Sequence, residues 1–448
     1  MTALLLLWLA AGPVDLLVRG GTVVTMDGGE RILVGGSVAI RGDRIESVLD
    51  ASDPPPPARE TLFAEGHLVI PGLVNAHGHV PMILLRGLAD DLLLLDWLNK
   101  VIFPAEARHV DPDFVYWGTL LACLEMMRSG TTTFADMYYF EDDIARATEK
   151  AGLRAVLGQT IIGFPAPDYK TTDEALAGTE AFLKRWKGHA RIVPSVAPHG
   201  LYTTSLDVVR RARELSRRHG VPFQIHAHES EDEDRLVREK LGRTALAALE
   251  DAGLLGPDVI LHHAITMSDD DLRLMARRGV SASHNLESNM KVAAGLARLP
   301  EMLAAGVTVG LGTDGAASNN NLDMFETMDA VAKVHKLVRR DPTVLRARDV
   351  FRLATRGGAR SLDLADRVGS IEHGKLADIV LVDASGPEAA PLHDVYSQLV
   401  YALKGSSVKT VVVGGRVILR DRQPTTLDTA EILARARTIA LRVRSAPR

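Results

Sequence analysis

Two histidines two positions apart, His77 and His79, open a series of polar strand ends that could hold a metal ion. On extended backbone, residues i and i+2 project to the same side, so both imidazoles can face one ion. His226-Ala227-His228-Glu229 repeats the spacing and adds a carboxylate. His199, the pair His262-His263, and Asp314 within Gly312-Thr313-Asp314-Gly315 complete the series. Each follows a short apolar run that reads as a β-strand. Nitrogen and oxygen donors without a usable thiolate point to a hard or borderline divalent ion, Zn2+ first, with Fe2+ or Mn2+ as alternatives.

The expected ligands are His77, His79, His226 and Asp314. They leave an open position for a water, which a divalent metal acidifies to near neutrality. His226 is preferred over His228, because Glu229 then lies three positions on, where a turn can bring it over a bound substrate. A carboxyl at that place can shuttle protons. Its neighbours Glu231, Asp232, Glu233 and Asp234 read as solvated. His262 and His263 are adjacent, so on a strand only one faces inward, and pattern alone does not choose. No lysine stands at the fourth strand end, Pro194-Ser195-Val196-Ala197-Pro198-His199, so a bridging modified lysine is excluded there. One metal per subunit is expected. The reading is a metal-dependent hydrolase.

These residues run from position 77 to position 314, so only a fold that gathers strand ends can unite them. A parallel (β/α)8 TIM-type barrel does so, because its reactive groups lie at the C-terminal ends of its strands. Apolar runs at residues 68–74, 131–137, 155–160, 191–196, 223–225, 259–261, 279–282 and 307–311 supply eight strands, with amphipathic stretches between them. A doubly wound open sheet is the alternative, but no Gly-rich phosphate loop follows the first strand. The Leu-rich stretch 92–98 after strand one reads as a lid or subunit-contact helix, or as plain helix packing.

The flanks differ in texture. Residues 14–66 read as short strands with glycine turns and a stiff Pro54–57 connector. A similar texture returns after residue 367. Both ends together are expected to build one small β-sandwich, with a C-terminal helix. The expected organisation is a leader or extension at 1–13, an N-terminal sandwich segment at 14–66, the barrel at 67–366 and a C-terminal sandwich segment at 367–448.

Length and composition agree. The 448 residues suggest about two domains. A net charge of −5 carries no basic footprint, which disfavours nucleic acid as a partner. Cys123 is the sole cysteine, so no internal disulfide forms and zinc sites built on several cysteines are excluded. Residues 3–11 are strongly apolar but far shorter than the ~20 residues of a membrane span. No membrane association is expected, and the protein reads as cytoplasmic, with export on a short leader as the alternative.

The combined motifs resemble the amidohydrolase superfamily, and within it the 5′-methylthioadenosine/S-adenosylhomocysteine deaminase branch. The likeness is carried by Pro71-Gly72-Leu73-Val74-Asn75-Ala76-His77-Gly78-His79, Gly130-Thr131-Thr132-Thr133, Ala197-Pro198-His199, His226-Ala227-His228-Glu229, Ser288-Asn289-Met290-Lys291 and Gly312-Thr313-Asp314-Gly315. It continues through Gly369-Ser370-Ile371-Glu372-His373-Gly374-Lys375 in the C-terminal flank. The resemblance implies His226 on the metal, Glu229 as proton shuttle, and His263 rather than His262 beside Asp314 in catalysis. It also implies that Glu106 holds ribose hydroxyls and that His199 faces a purine nucleoside. It suggests a homo-oligomer, dimer or tetramer.

Hydrolytic deamination at C6 of an adenine nucleoside is the expected activity: 5′-methylthioadenosine, S-adenosylhomocysteine or adenosine. Deamination or dechlorination of another N-heterocycle (guanine, a pterin or a triazine) is the alternative, and an inactive binding scaffold a remote one. Three features depart from the family pattern. Thr266 replaces a second histidine, Leu286-Glu287 replace a proline before Ser288, and the loop 163–170 lacks an arginine that would meet an amino-acid carboxylate.

Overall fold

A computed structural model describes residues 12–445. The apolar stretch 3–11, read as a leader or extension, lies outside the described residues. Strands β1 (Val14–Val24), β2 (Ile32–Arg41), β3 (Arg44–Leu49), β4 (Ala58–Phe63) and β5 (His67–Pro71) come first. The barrel strands follow: β6 (Leu73–Asn75), β7 (Thr131–Tyr138), β8 (Arg154–Ile161), β9 (Ile192–Pro198), β10 (Phe223–Ala227), β11 (Val259–His263), β12 (Ser281–His284) and β13 (Val309–Leu311). They pair in sequence order, each parallel to the next. The ring closes where Ala76 N–H donates to Leu311 O at 2.8 Å and Asp314 N–H to His77 O at 3.0 Å. The expected barrel is therefore borne out.

Every residue of β7 and β8 is buried, as parallel strands must be when helices cover one face and barrel core the other. Val74, Ala135, Val156 and Ile260 fill the barrel interior. The crossover helices begin and end where their sequences dictate. In Leu206–His219, the Ser205 hydroxyl accepts from Val208 N–H, and Gly220 stops the helix at φ +66°.

The two chain ends meet in one nine-stranded mixed sheet, through β14 (Ile379–Asp383), β15 (Val408–Val413), β16 (Arg416–Arg420) and β17 (Gln423–Pro424). Antiparallel pairing of β14 with β5 joins the halves. Side chains as far apart in the sheet as Ile45 of β3 and Val412 of β15 share one apolar cluster, so the sheet folds over on itself. The run 68–74, read as a single strand, is two. Its first half is β5 of the mixed sheet and its second is β6 of the barrel. The chain passes from one to the other at Gly72, where a Cβ would meet the Thr132 side chain at 1.9 Å. Arg154 of β8 and Asp378 tie barrel to sheet through a buried two-pronged ion pair, at 3.0 and 3.2 Å.

Candidate metal centre and active site

The site lies at the C-terminal ends of the barrel strands. Asn75 stitches its first and last contributors together. Its amide donates to Thr313 Oγ1 at 2.7 Å and its carbonyl accepts from Thr313 N–H at 3.0 Å. His77 and His79 follow Asn75, and Asp314 follows Thr313. His77 and His79 place Nε2 at 3.4 and 3.5 Å from Asp314 Oδ1.

Among the described residues, two overlapping constellations could hold an ion, His77 with His79 and Asp314, and His77 with His226 and His263. In each, one donor atom per residue lies within 4.8 Å of the others. His79 donates from Nδ1 to Met137 O at 2.6 Å, and His226 from Nδ1 to His199 O at 2.8 Å. A carbonyl only accepts, so both rings carry their hydrogen on Nδ1 and keep a lone pair on Nε2. Fully buried His77 makes no hydrogen bond of good geometry: Nδ1 has no partner, and Nε2 has only the 3.4 Å approach to Asp314 Oδ1. Such orphaned atoms are costly unless something binds them. Burial depresses His77 to about 3, lowers His79 and holds His226 well below the usual imidazole range. Neutral imidazole is the ligating form. The donor set thus fits a divalent ion.

Asp314 is held from three sides. Gly315 N–H donates to Oδ1 at 2.7 Å, and the Ser288 and Ser318 hydroxyls donate to Oδ2 at 2.6 and 3.1 Å. Glu229 accepts from Tyr202 OH at 3.1 Å on Oε2, while His263 Nε2 lies 3.6 Å from Oε1. Burial raises the Glu229 carboxyl above its ordinary value. His263 Nδ1 is paired with Asn289 Oδ1 at 2.8 Å.

The choice between His262 and His263 resolves through their partners. His262 Nδ1 pairs with Ser283 Oγ at 2.8 Å and Nε2 with Gln224 Oε1 at 3.2 Å, so neither nitrogen is free. Its ring stacks beneath His77 with centroids 3.9 Å apart. His263 has φ +72° and lines the cavity. His228 faces away. Its Nε2 accepts from Leu246 N–H at 3.2 Å and its Nδ1 lies 3.1 Å from Asp234 Oδ1. Glu233 and Asp234, read as solvated, are buried instead. Glu233 Oε2 accepts from Glu229 N–H at 3.1 Å, and Asp234 pairs with His228. Both acids brace the turn that presents Glu229.

The cavity brings together His79, His199, His226, His263, Glu229, Asp314 and Glu106, above His77. His199 pairs through Nδ1 with Thr203 Oγ1 at 2.9 Å, and burial lowers it to about 3. Glu106 projects from the helix Phe103–His109 and accepts from Tyr138 OH at 2.7 Å. Burial pushes its carboxyl up to about 7. Leu94, Trp97 and Leu98 of the Leu-rich stretch line the cavity together with Ile102 and Phe103. That stretch is an apolar wall of the site, with a wide π-helical turn at Trp97–Ile102. Phe164 packs against Phe103, ring centroids 5.1 Å apart. Sequence reasoning missed Tyr202, Ser318 and Tyr138, and it named Ser288 and Asn289 only as part of a family motif, without a role. Their residue types are common and their spacing carries no signal.

The model of the amidohydrolase family matches residues 68–418. This chain belongs to that family. A 5-methylthioadenosine/S-adenosylhomocysteine deaminase of Syntrophobacter fumaroxidans is 46% identical to this amidohydrolase, over 95% of this chain and 98% of that one. A 5'-deoxyadenosine deaminase of Methanosarcina barkeri is 42% identical, with 95% and 98% covered. The crystal structure of an adenosine deaminase from Xanthomonas campestris with bound zinc superposes with a TM-score of 0.95, at 39% identity, over 97% of this chain and 99% of that one. Among the described residues, no helix is long and apolar enough to cross a membrane.

Proposed function

We propose that this amidohydrolase is a zinc-dependent deaminase that replaces the C6 amino group of an adenine nucleoside by oxygen, releasing ammonia and an inosine-type product. 5′-Methylthioadenosine, S-adenosylhomocysteine and adenosine are the candidate substrates. The observation that carries the reading is one cavity lined at one end by a cluster of acid–base groups and at the other by a buried carboxyl. Glu229, His263 and Asp314 lie at the first, and the buried Glu106 carboxyl at the second. The nucleoside names of the relatives and the zinc of the Xanthomonas structure support it.

His77, His79, His226 and Asp314 would hold one ion. Bound there, a divalent metal supplies an acidified water at neutral pH. The rest falls to side chains of the chain itself. His199, with Nδ1 tied to Thr203, offers Nε2 to the purine. Glu106 receives the ribose hydroxyls. Glu229, whose carboxyl burial raises above its ordinary value, gives a proton to the ring nitrogen N1 and so makes C6 electrophilic. Asp314 takes a proton from the attacking water, while His263, its Nδ1 hydrogen held by Asn289 Oδ1, accepts a hydrogen bond from that water on Nε2 and orients it. Water oxygen bonds to C6, and the C6–N bond breaks once the amino group has received a proton through Asp314 or Glu229. Ammonia leaves. A homodimer or homotetramer is the proposed assembly.

Ammonia release by the zinc-loaded protein tests the reading against 5′-methylthioadenosine, S-adenosylhomocysteine, adenosine, guanine and a chlorotriazine. Fast release from nucleosides is expected. Activity confined to a free base or triazine would overturn the substrate and keep the metal chemistry.

A further inference from the structure

The short helix Leu286–Lys291 does two jobs at the reaction centre. Ser288 donates to Asp314, and Asn289 pairs with His263. Its last residue does neither. Lys291 ends on three acceptors from two other loops. Nζ lies 2.5 Å from Asp90 Oδ1 and 3.3 Å from Ala317 O, and it also contacts Asn320 Oδ1. Asn320 Nδ2 in turn reaches Asp90 Oδ1 at 3.5 Å.

The two loops matter. The one around residue 317 carries Ser318, another donor to Asp314. The one around Asp90 leads straight into the apolar wall at 94–106, which ends in Glu106. Between Arg86 and Leu93 the chain forms no regular element, and Gly87 and Asp91 both sit at positive φ, +68° and +62°. Leu88 and Leu93 there are exposed, and Ala89 and Leu92 are only partly buried against the core, so apolar packing fixes the loop incompletely. The wall's entry is therefore held by a polar tether as well as by Ala89 and Leu92. The Lys291 side chain is 22% exposed and that of Asp90 39%, so the tether is half-sheltered. Three acceptors also converge on one ammonium, unlike an isolated surface pair, which contributes little.

We propose that Lys291 is a positioning residue: it holds the wall bearing Trp97, Ile102, Phe103 and Glu106 in register with the reaction centre. This rests on the nucleoside reading, since the wall is where the sugar and its 5′ substituent would lie. Lys291 touches neither the metal ligands nor the substrate in this scheme. Its effect is on where the nucleoside is held, not on proton transfer at C6.

The test compares Lys291→Met, Lys291→Arg and Asp90→Asn with the parent, all zinc-loaded. Metal content is measured for each. Lys291→Met and Asp90→Asn are expected to raise KM for the best nucleoside about tenfold, with kcat within about twofold, the pattern of lost binding rather than lost chemistry. Lys291→Arg keeps the charge and is expected to recover most of that loss. Hydrogen exchange on the full chain, without substrate, is expected to speed up across residues 86–103 in the Met variant. Unchanged exchange there, or a fall in kcat at unchanged KM, would overturn the proposal. Should the parent prove silent on every nucleoside, the substrate reading falls while the exchange experiment still decides the tether.

Discussion

Tyr202 donates a 3.1 Å hydrogen bond to Oε2 of Glu229, and His263 approaches the opposite oxygen at 3.6 Å. The carboxyl is thus hydrogen-bonded on one oxygen in a buried setting, which leaves the other oxygen to face a substrate ring. A hydrogen bond to an ionisable group is worth roughly 1.5–3 kcal/mol. Tyr202→Phe is therefore expected to lower kcat about 10- to 100-fold with KM little changed. Glu229→Gln removes the transferable proton and is expected to cost ~10²–10⁴-fold with metal content unaltered. Steady-state kinetics beside elemental analysis checks both. Wild-type turnover in Glu229→Gln would remove Glu229 from the chemistry.

Glu106 links pH to stability. Burial raises its carboxyl to about 7 in the fold, against 4.5 for the ordinary group. The folded state therefore keeps a proton that the unfolded chain gives up first. Its stabilising contribution is complete below about 4.5, declines between 4.5 and 7, and is gone above. The shift corresponds to about 3 kcal/mol at most. Glu106→Gln cannot ionise. Its melting temperature is expected to gain on the parent's as pH climbs from 5 to 8. Parallel melting profiles across that range would contradict the buried, protonated state.

His77 makes the case for a resident ion testable without turnover. Both of its ring nitrogens are buried without a good hydrogen bond, Nε2 only approaching Asp314 at 3.4 Å, so removal of a bound ion should leave a desolvation cost behind. Chelation is expected to abolish deamination and lower the melting temperature. Zinc should restore both at a stoichiometry of one per chain. At a free ion concentration 100 times Kd, stabilisation is about 2.7 kcal/mol. Titration calorimetry reads the stoichiometry, and a value of two would overturn the single-ion reading.

The features of this site that repeat a simple rule were readable in the sequence. Histidines and Asp314 at apolar strand ends require a barrel, and the barrel is there. Alternation failed where both neighbours end up inside. His262 belongs to the polar floor, and the positive φ of His263 swings its ring into the cavity. The run 68–74 reads as one strand because β5 and β6 are both almost wholly buried, which erases any period at Gly72. Glu233 and Asp234 look solvated beside two other acids, yet His228 and the Glu229 backbone claim them. Contacts such as Lys291 to Asp90, 201 positions apart, leave no local trace at all.

The Arg154–Asp378 pair carries the last prediction, because it joins the barrel to the mixed sheet where neither side chain reaches water. Both are almost completely buried, at 1% and 2% side-chain exposure. Arg154 also donates to Ala190 O at 3.0 Å, and Asp378 Oδ1 accepts from Gly414 N–H at 2.8 Å. Taking away one partner strands a buried guanidinium beside Arg191 and Arg367, at a cost of about 3–5 kcal/mol. Asp378→Ala is expected to lose roughly that much in denaturant unfolding. Replacing both, Arg154→Met with Asp378→Leu, removes the stranded charge, and most of the stability should return. Since the pair lies far from the cavity, the double variant is expected to keep the parent's KM. A double variant as unstable as Asp378→Ala would mean that the ion pair's own attraction, rather than avoidance of a lone buried charge, holds the two bodies together.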